Sequence, residues 1–337
     1  MVSYEDMLEL SSKGAITELS SLLSATDREI IWDSIVEYGT AEGEFVGIVP
    51  YLTGVRTYFS KQETADCGLW NIENVFKIKK QTNASRVFSY QLGSMDTYFE
   101  FYSLVGADIR NTRYIDWDNG KSQFFDKGFS NVLEEIKEDV SQNIGNRELV
   151  KEGSVLAYYY PISDAVSLYT AISELGEDGA QIGFPSETGG KSFFYTDGIL
   201  VVNRNCQDNE AVASFLSYLL SPENQLRNPY IFSVRKDAAI LAISEKVTSN
   251  EDDLGASKKC QWNIGNGSLV NIPLEASVEE LQTIYSDLME EVTYPQSNDA
   301  IFDIIWDETE LYFLGEKKVD DVVQAIDRRV QLLLDEQ

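Results

Sequence analysis

The chain has 337 residues, 27 Lys plus Arg against 56 Asp plus Glu, a formal net charge of −29, and no histidine. Without histidine there is no Ser-His-Asp triad, no Cys-His dyad and no histidine metal ligand, and the charge argues against nucleic acid, anionic membranes and strongly anionic ligands. The length exceeds what one core fills, so two domains are expected.

In chain order, Ala15, Ile16, Leu19, Leu22 and Leu23 recur at helical spacing, which predicts a helix over 4–23 and a second around 27–38. FVGIVP (45–50) reads as a buried strand ended by Pro50, and YLTGVRTYFS (51–60) continues extended. The polar stretch 61–69 is a crossover, followed by helices at about 71–81 and 95–105. YIDWDNGKSQFFD (114–126) reads as a hairpin with an Asp-Asn-Gly turn, and a helix spans 127–140. SVLAYYY (154–160) is a buried strand ended by Pro161, followed by helix 162–175 and strand 181–185. ETGGKSFFYTDG (187–198) is a loop, ILVVN (199–203) a strand and EAVASFLSYLL (210–220) a helix. Residues 244–272 form the longest loop candidate, and helices end the chain at 277–292, 298–314 and 318–335. Mixed strands and helices with a helix-rich end predict an α/β fold in more than one subdomain.

Catalytic signatures are missing: there is no GxGxxG, GxxxxGK[ST] or GxSxG. Asp116-Trp117-Asp118-Asn119-Gly120 resembles the start of a calcium loop, but its glycine falls one position early, so a turn is the better reading. Cys67, Cys206 and Cys260 stand far apart without a CxxC, which predicts no metal site. Aromatics are the informative class, because flat rings stack on sugar faces while carboxylates and amides bind hydroxyls. Strand alternation places Tyr158 and Tyr160 on one face and Tyr159 on the other. Paired acids such as Glu134-Glu135 leave a glycoside hydrolase as a lesser alternative.

Several segments together resemble extracellular solute-binding proteins of carbohydrate ABC importers, family 1. They are KGAITELSSLL (13–23), GTAEGEFVGIVPYLTGVRTYFSK (39–61), LWNIENVFKIKK (69–80), YIDWDNGKSQFFDKGF (114–129), IGFPSETGG (182–190), ILVVNRNCQDNEAVASFLSYLLSPENQ (199–225), FSVRKDA (232–238) and ETELYFLGEKKVDDVVQAIDRRVQLLLDEQ (308–337). No piece is diagnostic; their order and spacing are. The resemblance implies a two-lobed α/β fold of the periplasmic-binding-protein type II, with ligand in a cleft that closes by hinge motion. It implies lobe 1 at 1–55 and 196–245 and lobe 2 at 56–195 and 246–337. Against the family pattern, lobe 1 lacks its amino-terminal part. Either the chain is truncated or a partner supplies the missing piece; a remnant that folds without binding is the alternative function.

The implied function is non-catalytic binding of a sugar or oligosaccharide, without cofactor or metal, by a monomer that partners an ABC permease and no nucleic acid. The family is extracellular and lipid-anchored, whereas residues 1–10 show neither a signal peptide nor a lipid-anchor cysteine. The expected ligand residues are Tyr51 and Arg56 near the first crossing, Tyr158 or Tyr160 as a platform, Phe194, Tyr195 and Asp197 near the return crossing, and Trp262.

Overall fold

The computed structural model describes the chain except residues 24, 91–92, 143, 228–231, 250–258, 264–268, 274–275, 296–297 and 337; for 25, 93–94, 245–249, 259–263 and 269–273 it describes the backbone alone. Two compact units emerge. The first comprises Met1–Arg56, Pro161–Ala171 and Ser192–Tyr294, and the second comprises Thr57–Tyr160, Ile172–Lys191 and Pro295–Gln337.

The second unit is organised by a sheet with strands in the order Gly179–Gln181, Gly54–Lys61, Val155–Ile162, Arg86–Tyr90, Gly93–Ser94. Arg86–Tyr90 runs parallel to Val155–Ile162, and the helix Phe129–Ser141 lies between them in sequence. A parallel pair needs such a crossover. Helix Ile72–Thr82 starts where Asn71 accepts the backbone N–H of Asn74 and stops where Asn83 turns left-handed at φ 56°. Tyr58, Phe88, Tyr159 and Phe184 form an aromatic core, with ring centroids 4.3 Å apart for Tyr58–Phe88 and 4.9 Å for Tyr58–Phe184. Phe101, Phe302 and Trp306 form another beneath helix Asp299–Phe313.

Burial of charge is the unusual feature of this unit. Arg86 is 1% exposed and donates to Glu100 at 2.7 Å, to the carbonyl of Met95 at 2.6 Å and to that of Ile144 at 3.1 Å. Asp139 accepts the backbone N–H of Val87 and pairs with Lys79 at 2.5 Å. Buried charges persist only when paired and hydrogen-bonded. Burial, with Asp139 close by, pushes the Glu100 carboxyl well above its ordinary range.

The first unit contains smaller pieces. Helix Tyr4–Ser12 opens with a capping box in which Ser3 and Asp6 exchange hydrogen bonds. A hairpin pairs Thr40–Ala41 with Glu44–Phe45, Gly47–Ile48 pairs with Leu200–Val201, and Gly54–Arg56 pairs with Phe193–Tyr195, all antiparallel. Gly47 has no room for a side chain, since a Cβ there would meet Ile199 at 2.4 Å and Met7 at 2.6 Å. Phe232 stacks on Tyr285 at 5.5 Å, and Trp32 meets Tyr285 edge-on at 6.3 Å.

The structure departs from the sequence expectations at several points. The first helix ends at Ser12; Gly14 is left-handed, and Ile16 bridges to Asn203, so 15–23 is not helical. The helix expected at 27–38 is two, Ala25–Glu29 and Asp33–Tyr38, interrupted where Ile31 bridges to Arg235. The 95–105 helix is Thr97–Phe101 continued by a π-turn, Tyr102–Gly106, and the strand through Tyr160 passes Pro161 to end at Ile162. Part of the 187–198 loop is the strand Phe193–Tyr195, and strand Arg86–Tyr90 was not foreseen. The 244–272 segment begins within helix Lys236–Ser249 and includes the paired strands Lys259–Asn263 and Leu269–Pro273; its remaining residues lie outside those described. The first unit also takes in 161–171 and 246–294, which the expected lobes assign to lobe 2. Packing of Tyr285, on helix Val278–Glu291, against Trp32 and Phe232 holds that stretch there.

Candidate functional site

Residues 51–56 and 193–198 of the first unit lie side by side. Arg56 stands opposite Phe193, Val55 opposite Phe194 and Gly54 opposite Tyr195. Beyond the strand ends, the Thr53 N–H donates to the Tyr195 carbonyl at 2.7 Å and the Thr196 hydroxyl to the Tyr51 carbonyl at 3.0 Å. Alternation sends Val55 and Phe194 to one face and Arg56 and Tyr195 to the other.

On the first face Phe194 is buried, edge-on to Tyr38 at 5.4 Å and 6.3 Å from Tyr294. Tyr38 in turn stacks on Tyr4 at 4.6 Å with planes 8° apart, and Tyr294 lies 4.7 Å from Tyr38. The hydroxyls of Tyr4 and Tyr294 are 3.3 Å apart. Burial, with Glu5 and Tyr294 adding to it, pushes the Tyr38 phenol up to about 12. Tyr38 therefore stays neutral throughout the physiological range.

On the other face the Arg56 guanidinium sits 3.8 Å over the Tyr195 ring, a cation–π contact. Both residues are half-buried. Nearby in the ladder, the Tyr51 hydroxyl donates to an Asp197 carboxylate oxygen at 3.0 Å. That hydrogen bond, more than burial, raises the Tyr51 phenol above its usual value. Asp197 is exposed and Tyr51 half-buried. Within a few residues the ladder thus presents a carboxylate acceptor, a hydroxyl and a guanidinium donor, a set suited to polyhydroxylated ligands.

Elsewhere in this unit a concavity of about 540 Å³ has Leu23, Val36 and Phe45 among its lining residues, together with the charged Arg28, Glu29 and Asp33. Arg28 lies over the Phe45 ring at 5.4 Å. Nothing in the sequence marks these dispersed residues as neighbours.

The structure thus brings Tyr51, Arg56, Tyr195 and Asp197 together and gives Phe194 a packing role instead. Tyr158 and Tyr160 belong to the second unit and are both 0% exposed. Each packs against Phe59, at 5.8 and 6.1 Å, so neither offers a free face as a sugar platform. The strand is buried on both faces from Val155 to Tyr160, as a buried strand at 154–160 requires, and that burial covers the two rings. The Trp262 side chain lies outside the described residues. Tyr4, Tyr38 and Tyr294 were missed; they stand 34 and 256 residues apart in sequence, and only the fold joins them. No group of acids and cysteines among the described residues is placed to hold a metal ion.

The profile of the bacterial extracellular solute-binding proteins matches residues 1–226. The chain belongs to this family. Its fold is shared by the sugar-binding protein MalE of Xanthomonas citri, which is 15% identical with a TM-score of 0.55, over 99% of this chain and 83% of that one. The Lmo0181 ABC substrate-binding protein of Listeria monocytogenes, solved with cycloalternan, is 12% identical with a TM-score of 0.51, over 99% and 84% of the two chains. The GacH receptor of Streptomyces glaucescens, solved unliganded and with acarbose, is 14% identical with a TM-score of 0.50, over 99% and 82%. No curated protein matches the chain in sequence. The α/β architecture is therefore that of the periplasmic solute-binding proteins. Among the described residues, no helix is long and apolar enough to cross a membrane.

Proposed function

We propose that this solute-binding protein is the sugar- or oligosaccharide-binding component of an ABC importer. Its ligand is held by hinge closure of two lobes and passed to the importer's permease, and no bond is made or broken. The carrying observation is the Tyr51–Asp197 and Arg56–Tyr195 ladder, which offers hydroxyl-binding groups on a fold shared with sugar-binding proteins. Closure follows when ligand contacts are completed only in the closed state. The protein acts outside the cytoplasm as a monomer, in keeping with its family.

The hydrolase alternative finds less support. The carboxyls Glu100 and Asp139 are both 0% exposed and engaged by Arg86 and Lys79, so no substrate reaches them. Calorimetry and tryptophan fluorescence across a panel of mono- and oligosaccharides test the proposal. Saturable binding of at least one saccharide without turnover is expected. Tight binding of peptides or ions with no saccharide bound would overturn the carbohydrate assignment.

A further inference from the structure

The ligand class can be narrowed from one side chain, on the footing of the sugar-binding reading above. Arg86, Arg113, Arg147, Arg235 and Arg329 each hold a carboxylate. Arg56 holds none among the described residues, although acids outnumber bases 56 to 27 in the chain and Arg56 is half-buried. Asp197, the acid of the same ladder, is taken by the Tyr51 hydroxyl instead. The Tyr195 ring lies against the guanidinium at 3.8 Å, a contact that orients it without using its N–H donors. The Tyr195 hydroxyl is itself buried and has no hydrogen-bond partner among the described residues.

We propose that Arg56, oriented by Tyr195, is the anion-recognising group of the site, and that the saccharide it takes carries a carboxylate, as uronates and sialates do. A guanidinium fork matches a carboxylate with two parallel N–H bonds, whereas a sugar hydroxyl uses the fork only singly. Asp197 and Tyr51 then take hydroxyls of the same ligand. The overall charge of −29 opposes an anion at long range, but salt screens exposed charges beyond about 10 Å at 0.1 M, so the local guanidinium decides. This reverses, for this one position, what the composition implies about anionic ligands.

The experiment is calorimetry of the full chain with matched pairs: trigalacturonate against its methyl ester, and sialyllactose against lactose. The acidic member of at least one pair is expected to bind at least tenfold more tightly than its neutral counterpart, and which pair responds distinguishes uronate from sialate. R56Q should abolish that tenfold preference and R56K should keep part of it, with near-UV dichroism confirming the fold of both. If R56Q does not fold, the wild-type comparison of acid with ester still decides. Equal or tighter binding of the neutral members, or an acid preference that survives in folded R56Q, overturns the inference and leaves the sugar reading standing. Failure of every saccharide, including neutral maltotriose, overturns both.

Discussion

The two units solve the problem of holding a polar ligand-binding protein together in different ways. In the second, one sheet carries the core, and a charged cluster is drawn wholly inside it, with Arg86, Glu100 and Asp139 at 1% exposure or less. In the first, two-stranded pieces, single bridges and the pairing of Phe193–Tyr195 with the start of the large sheet's strand Gly54–Lys61 carry the backbone, and the charged groups of that ladder stay partly in solvent. Buried charge specifies structure and tolerates little; half-exposed charge costs little to keep and is available to a ligand. Polar side chains in the two units therefore have opposite expected signatures: stability in one, binding in the other.

The largest effect is expected at Arg86. R86A strips Glu100 and two carbonyls of their donor and leaves Asp139 with less compensation. A loss of about 3–5 kcal/mol in urea unfolding, followed by tryptophan fluorescence, is expected. An unchanged midpoint would remove the contrast between the units.

Next comes the pH dependence. Glu100 is raised in the folded protein above its unfolded value of 4.5, so the folded state binds the extra proton between the two values. Its contribution is full below 4.5 and is lost as pH rises toward the folded value, with a limiting slope of about 1.4 kcal/mol per pH unit. E100Q should flatten that part of the stability–pH curve relative to the wild type. Parallel curves would show that the carboxyl ionises at its ordinary pH.

In the first unit, S277A removes the capping box of helix Val278–Glu291 and should cost about 1 kcal/mol by thermal or urea unfolding. The smallest expected stability effect is at the ladder. Y51F deletes the hydroxyl bound to exposed Asp197, and unfolding should shift by no more than about 0.5 kcal/mol. Saccharide affinity measured by calorimetry should nevertheless fall severalfold. A large stability loss with unchanged affinity would make the ladder structural.

Much of the fold was legible because it is periodic. The final helix, Val319–Asp335, has Val322, Val323, Ile326 and Val330 buried along one stripe, as its spacing requires. Strand Arg86–Tyr90 was illegible for the opposite reason. Four of its five residues are buried, so it has no alternation, and its first residue is an arginine whose partners lie 9 to 58 positions away. At the candidate site, Tyr51, Arg56, Tyr195 and Asp197 were legible as polar and aromatic residues flanking two extended segments. The burial of Tyr158 and Tyr160 has a physical cause, since every residue from Val155 to Tyr160 is buried and parity therefore leaves neither face of that stretch open.

The stacked pair Tyr4–Tyr38, with Tyr294 against it, also has an optical consequence. Rigid, closely spaced phenols are chiral chromophores, and these three lie in the first unit, as does the Trp32 indole. The tyrosine band of the near-UV dichroism thus carries a contribution from the packing of this cluster.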